Sequence, residues 1–212
     1  MSNQDALAKR LAEHVVIGLE DQAKTGAQAI EAAHTPRAAY AERALPARSA
    51  LSAAQAALQW RVEQFLSYQA ALLDGKHWRA FIDLFTDDGV YWMPINAEQT
   101  DWLDSPSIFA EDKLVMEIRM GRVTHPNAWS QAPMWGTHHL VGNVVITSHT
   151  ESEVVVRSSF QMMELRRDTV RHFAGTYTHT LVPQGDDFHI KLQRVDIMNG
   201  QSIYDYVLQV WV

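Results

Sequence analysis

An α+β fold, with helices segregated to one side of a curved antiparallel sheet, is predicted by three observations. Two helical patterns come first, over residues 52–75 and 77–85. From residue 136 the chain then alternates apolar and polar side chains, with candidate strands at 137–148, 153–168, 171–182, 187–198 and 203–211. Pro183-Gln184-Gly185-Asp186 joins two of these strands as a tight hairpin. A sheet of long alternating strands needs one face covered, and the preceding helices are available to cover it. Such a curved sheet forms a cone, which is either filled with side chains or left open as a ligand pocket.

The first helix is signalled by Ser52 and Gln55 at capping-box spacing. Leu58, Val62, Phe65, Leu66, Gln69, Leu72 and Leu73 follow at helical spacing, and Gly75 is placed to end the helix in the left-handed conformation. The second helix presents Trp78, Phe81, Ile82 and Phe85. Asp87-Asp88-Gly89 reads as a turn, and Val90–Met93 as a strand stopped by Pro94. Residues 96–107 read as loop, with Ser105-Pro106 as a helix start. Leu114, Met116, Ile118 and Met120 alternate, so periodicity alone leans towards strand for Ile108–Arg122. In the hairpin at Pro183–Asp186, pairing Pro183 with Asp186 sets Leu181 against Phe188, His179 against Ile190 and Tyr177 against Leu192.

Residues 1–50 differ from the rest. They are alanine-rich and hold one of the chain's aromatics, Tyr40. Leu7, Leu11 and Val15 make a narrow helical stripe, which cannot form a core alone. This segment reads as a helix-prone arm, and residues 51–212 as the folded domain.

Eighteen basic and twenty-five acidic side chains give a net charge of −7, all of it beyond residue 60. An acidic body without a Lys/Arg run lacks the basic footprint that nucleic acid requires. No stretch approaches the ~20 apolar residues of a membrane span, and no secretory signal is visible, so the expected location is cytoplasmic. Cysteine is absent, which excludes disulfides, thiolate metal sites and a cysteine nucleophile.

Site chemistry is sparse. The chain has no phosphate-binding glycine loop, no nucleophile elbow and no His-Glu-x-x-His. His138 and His139 are adjacent, so on a strand they point to opposite faces and cannot both ligate one ion. The best internal candidates are Tyr177, His179 and Arg194 on the hairpin, with Asp196 next in phase and His139 from a neighbouring strand. A His–carboxylate pair in a dry cone could move a proton. Mutual hydrogen bonding is the commoner role for such residues. Trp102, Trp129 and Trp135 fall in loops and are interface candidates.

Several runs together resemble one family. They are Val62–Asp74, Trp78, Leu84-Phe85-Thr86-Asp87-Asp88-Gly89-Val90-Tyr91-Trp92-Met93-Pro94, Ile108–Lys113, Glu117-Ile118-Arg119 and Thr137-His138-His139-Leu140-Val141-Gly142-Asn143-Val144. They are similar, in order and over about residues 60–200, to the small (β) subunit of aromatic-ring-hydroxylating dioxygenases, the Rieske non-haem iron oxygenases. His138 stands where the family usually has arginine, which adds it to the interface candidates. Tyr206–Val212 is not the usual ending, and the arm before residue 50 is longer than usual.

The resemblance implies a cystatin-like (NTF2-like) cone, and favours helix over strand for residues 108–122. It implies a subunit without catalytic, cofactor-binding or metal-binding residues, partnered with a large α subunit, commonly as an α3β3 hexamer. The α subunit would hold a Rieske [2Fe-2S] cluster and a mononuclear iron, and NADH would supply electrons through a reductase. A Rieske cluster needs two cysteines and two histidines, so this chain cannot be the one that carries it. The alternative is a stand-alone cone enzyme, a dehydratase or isomerase using His139, Tyr177, His179 and Asp196.

Overall fold

The computed structural model describes residues 50–129, 135–198, 200–201 and 207–212. The proposed arm, the start of the last predicted strand and part of the second loop lie outside the described residues.

Helix α1 (Ala53–Asp74) begins as its capping box dictates: Ser52 Oγ accepts from the Gln55 amide, and the Gln55 side chain accepts from the Ser52 amide. Its inward stripe is Val62, Phe65, Leu66, Gln69, Leu72 and Leu73. The left-handed residue at its end is Lys76, at φ 58°, while Gly75 keeps a right-handed φ of −78°. The His77 amide donates to Leu72 O at 2.8 Å and the Lys76 amide to Leu73 O at 3.1 Å, which is the Schellman pattern moved one residue beyond the glycine. Helix α2 (Trp78–Asp83) follows at once and buries Trp78, Phe81 and Ile82.

Strand β1 (Phe85–Pro94) absorbs the Asp87-Asp88-Gly89 segment as a bulge rather than a turn. Phe85 lies opposite Ile190 and Val90 opposite Leu192, so the intervening residues loop out between two short pairings. Gly89 is required there, since a Cβ would stand 2.7 Å from Ile190 O. The ambiguous segment is both things in turn. Strand β2 (Ser107–Asp112) pairs antiparallel with β1, and helix α3 (Lys113–Thr124) starts where Asp112 Oδ1 accepts from the Val115 amide. The cap is therefore Asp112, not Ser105-Pro106, and the alternation of Leu114 to Met120 is not a strand signal.

Strands β3 (Gly136–His149), β4 (Val154–Arg166), β5 (Thr169–Gln184) and β6 (Asp187–Ile197) form an antiparallel meander. Strand order across the sheet is β2-β1-β6-β5-β4-β3, with β1 and β6 parallel, so the sheet is mixed rather than wholly antiparallel. Residues 207–212 join no strand. Val210, Trp211 and Val212 are all buried, which breaks the alternation that suggested one.

The β5–β6 register also differs from expectation. The turn centres on Gly185 (φ 61°) and Asp186, so Gln184 faces Asp187 and Leu181 faces Ile190. Lys191 is then an extra residue on β6, and Thr180 faces Leu192. This bulge reverses the phase of β6: Phe188 and Ile190 point inward before it, Gln193 and Val195 after it.

The core lies between the helices and the inner sheet face. Phe65 meets Phe188 edge-on at 5.8 Å, Phe81 meets Phe85 at 5.4 Å, and Phe160 stacks on Tyr177 at 4.2 Å. Each fully buried side chain of this size is worth about 1.5–3 kcal/mol.

Candidate functional site

The polar groups carried inward by these elements fall into three separate clusters. The first joins the end of α1 to the start of β3. Asp74, the last residue of α1, accepts from Thr137 Oγ1 at 3.0 Å, from the His139 amide at 2.9 Å and from His139 Nδ1 at 2.6 Å. Burial alone would raise the Asp74 carboxyl, but the hydrogen bonds from the His139 ring and amide hold it below the usual carboxylate range. An ionised carboxylate can only accept, so Nδ1 carries the His139 proton. His139 Nε2 is buried without a protein partner. His138 lies on the outer face, 72% exposed, and reaches the same carboxylate at 3.7 Å.

The second cluster contains Tyr177 and His179 on β5, both fully buried. Burial pushes the Tyr177 phenol well up and the His179 imidazole down to about 3. Gln193 stands opposite His179 and accepts from Gln69 Nε2 at 2.6 Å.

Arg194 and Asp196 do not join them. The Lys191 bulge turns both to the other face, where Arg194 Nη2 meets Asp196 Oδ1 at 2.8 Å. The same guanidinium donates to the carbonyls of Ala97 and Gln99 and lies 4.5 Å from the Trp92 ring. The sequence-derived set of His139, Tyr177, His179 and Asp196 is thus not assembled. The carboxylate beside His139 is Asp74, and Asp196 serves Arg194.

The third cluster was invisible in the sequence. Glu111, 5% exposed on β2, accepts from Trp211 Nε1 at 2.9 Å and from Arg119 Nη1 at 3.1 Å. Arg119 Nη2 donates to Val210 O at 2.9 Å, and Tyr91 exchanges hydrogen bonds with the backbone of Val212. Glu111 could have been found only by recognising 107–112 as a strand, which puts it on the same face as Phe109.

Of the interface candidates, Trp129 is 85% exposed and Trp102 half-buried. Trp135 is 3% exposed and packs on Trp78 at 5.7 Å, so it belongs to the core. The outer sheet face carries further apolar residues that the sequence reading missed. Met163 lies opposite His138, and Leu165 opposite Val170. Leu140, Met163, Leu165 and Val170 are 64%, 43%, 50% and 50% exposed. Leu140, Met163 and Leu165 hold the exposed phase of β3 and β4, alternating with buried residues such as His139 and Met162.

No group of three metal-ligating side chains occurs among the described residues. With no cysteine in the chain, the donor set does not fit a Rieske cluster. No helix among the described residues is long and apolar enough to cross a membrane.

A curved six-stranded sheet wrapped around helices defines an α+β cone of the cystatin-like (NTF2-like) class. Residues 68–201 match the family model described as ring hydroxylating beta subunit, and the chain belongs to that family. It is 28% identical over 156 residues to the anthranilate 1,2-dioxygenase small subunit of Acinetobacter baylyi, covering 70% of this chain and 96% of that one. It is 31% identical over 155 residues to the benzene 1,2-dioxygenase subunit beta of Pseudomonas putida, covering 68% and 83%. The crystal structure of the benzoate 1,2-dioxygenase beta subunit from Burkholderia mallei superposes with a TM-score of 0.57 at 24% identity, covering 76% of this chain and all of that one.

Proposed function

We propose that this chain is the non-catalytic β subunit of an aromatic-ring-hydroxylating dioxygenase, and that it assembles with and stabilises a large α subunit in an α3β3 hexamer. The observation that carries the reading is the family match across residues 68–201. The site geometry agrees with it. Asp74, Glu111 and Asp196 are each committed to protein donors, which suits carboxylates that hold a scaffold together. In this reading residues 1–50 are an arm appended to the domain of residues 51–212, and the complex works in the cytoplasm.

The Rieske [2Fe-2S] cluster and the mononuclear iron then belong to the α subunit, which receives electrons from NADH through a reductase. Trp102, Trp129, His138 and the apolar outer-face strip are the surface offered to other subunits. Apolar residues exposed side by side on a sheet face fit the core of an interface better than an open surface.

Co-expression with a large α-subunit gene from the same genome, followed by size and iron analysis, tests this. One iron-containing species with both chains is expected. A chain that purifies alone and turns over a small carbonyl or hydroxyl compound would overturn the reading.

A further inference from the structure

The inner face of the sheet holds a polar group that no contact within the protein accounts for. His179 is fully buried, and neither of its ring nitrogens meets a protein partner. Ser158 on β4 is 1% exposed, and its Oγ is likewise unpartnered. Ser158 lies opposite Tyr177, and Val156 opposite His179, so Ser158 and His179 are diagonal neighbours on one face. Side chains in that relation are close enough for a single bridging group to touch both. Buried polar atoms in native proteins are nearly always satisfied, by protein, ordered water or ligand.

We propose that His179 and Ser158 form a binding site for one neutral hydroxyl group, that of an ordered water or of a small alcohol or phenol. A neutral imidazole presents a given neighbour with either an N–H donor or an acceptor nitrogen, and a hydroxyl can complement either one. Burial keeps the imidazole neutral, with a pKa of about 3. A neutral ring and a serine hydroxyl bring no charge to offset the desolvation of an ion, so the guest is uncharged. The stacked rings of Phe160 and Tyr177 supply an apolar wall beside it.

The test uses the full chain, labelled for nitrogen NMR of its histidines. One His179 nitrogen should show a hydrogen-bonded shift, and Ser158→Ala should move it. A saturable response of the His179 signals to added phenol or 2-propanol identifies an organic guest. A cross-peak from His179 to a slowly exchanging water, with no such response, identifies water. Either outcome supports the site, whereas free-imidazole shifts with neither response overturn it. His179→Leu should lower the melting temperature by about 2–4 °C, one lost hydrogen bond's worth. A rise in melting temperature would mean that the imidazole was simply unpaired, and the site would fall. The NMR measurement on the unaltered chain decides the matter should that variant not fold.

Discussion

His139 Nδ1 lies 2.6 Å from Asp74 Oδ1, and this contact ties the C-terminal end of α1 to the first residues of β3. Asp74 also accepts from Thr137 and from the His139 amide, so one carboxylate satisfies three donors of the strand. Gln59, further up α1, donates to Val144 O at 2.9 Å. Strand β3 is an edge of the sheet. The two helix side chains therefore bond backbone groups that an edge strand leaves open to unwanted pairing.

Asp74→Ala should destabilise the chain by about 3 kcal/mol, because it strands a buried imidazole and two further donors. That corresponds to a fall of about 6–12 °C in melting temperature for a domain of this size. Asp74→Asn keeps an acceptor and should lose about half as much. Thermal melts of the two variants check the ordering. Equal losses would show that the charge carries the clamp and that a neutral acceptor of the same shape cannot replace it.

Arg194→Ala should act locally. Its guanidinium holds the carbonyls of Ala97 and Gln99 and covers Trp92, so it fixes the segment between β1 and β2 from below. Faster hydrogen exchange and proteolysis are expected over residues 95–106, with a global loss of only about 1–2 kcal/mol. Unchanged exchange in that segment, or global unfolding, would contradict this role.

What could be read in the sequence was what repeats with a regular period. Helix α1, the inward faces of β4 and β5, and the layered cone all follow from apolar spacing, and α1 adds a capping box that behaves as written. What could not be read were the places where a period breaks. The residues Phe188, Ile190, Leu192 and Arg194 alternate perfectly on paper. The chain instead inserts Lys191 as a bulge, and the inward set becomes Phe188, Ile190, Gln193 and Val195. A single extra residue thus removed Arg194 and Asp196 from the expected site. Asp74 escaped notice for a different reason: a polar residue before a glycine at a helix end reads as punctuation, and its partners lie more than sixty positions away.

Trp211→Ala should be among the most damaging changes in the domain. The indole is 3% exposed, packs on Phe81 at 5.4 Å and donates to Glu111. Removing it leaves a cavity and loses a charge-assisted bond, at a cost of about 3–5 kcal/mol. Trp211→Phe keeps most of the packing and should cost about 1–2 kcal/mol, since Glu111 retains Arg119. Denaturant melts compare the two. If they are equally destabilised, the indole N–H dominates and the packing account fails.

Acid should weaken the fold well above the carboxylate range, and His179 supplies the reason. Its folded pKa is about 3, held down by burial, against an ordinary value of 6.5. Between those values the unfolded chain binds a proton that the folded chain refuses. Stability therefore falls as pH drops below about 6.5, with a slope of about 1.4 kcal/mol per pH unit from this group. Asp74 adds to the loss only in stronger acid, as pH falls below the ordinary carboxylate value towards its lowered folded pKa. The two are separable by urea melts from pH 7 to 4. His179→Gln should flatten the slope between pH 6.5 and 5 relative to the unaltered chain, and Asp74→Asn should leave that part of the slope in place. A slope that survives in His179→Gln would assign the acid sensitivity to another group.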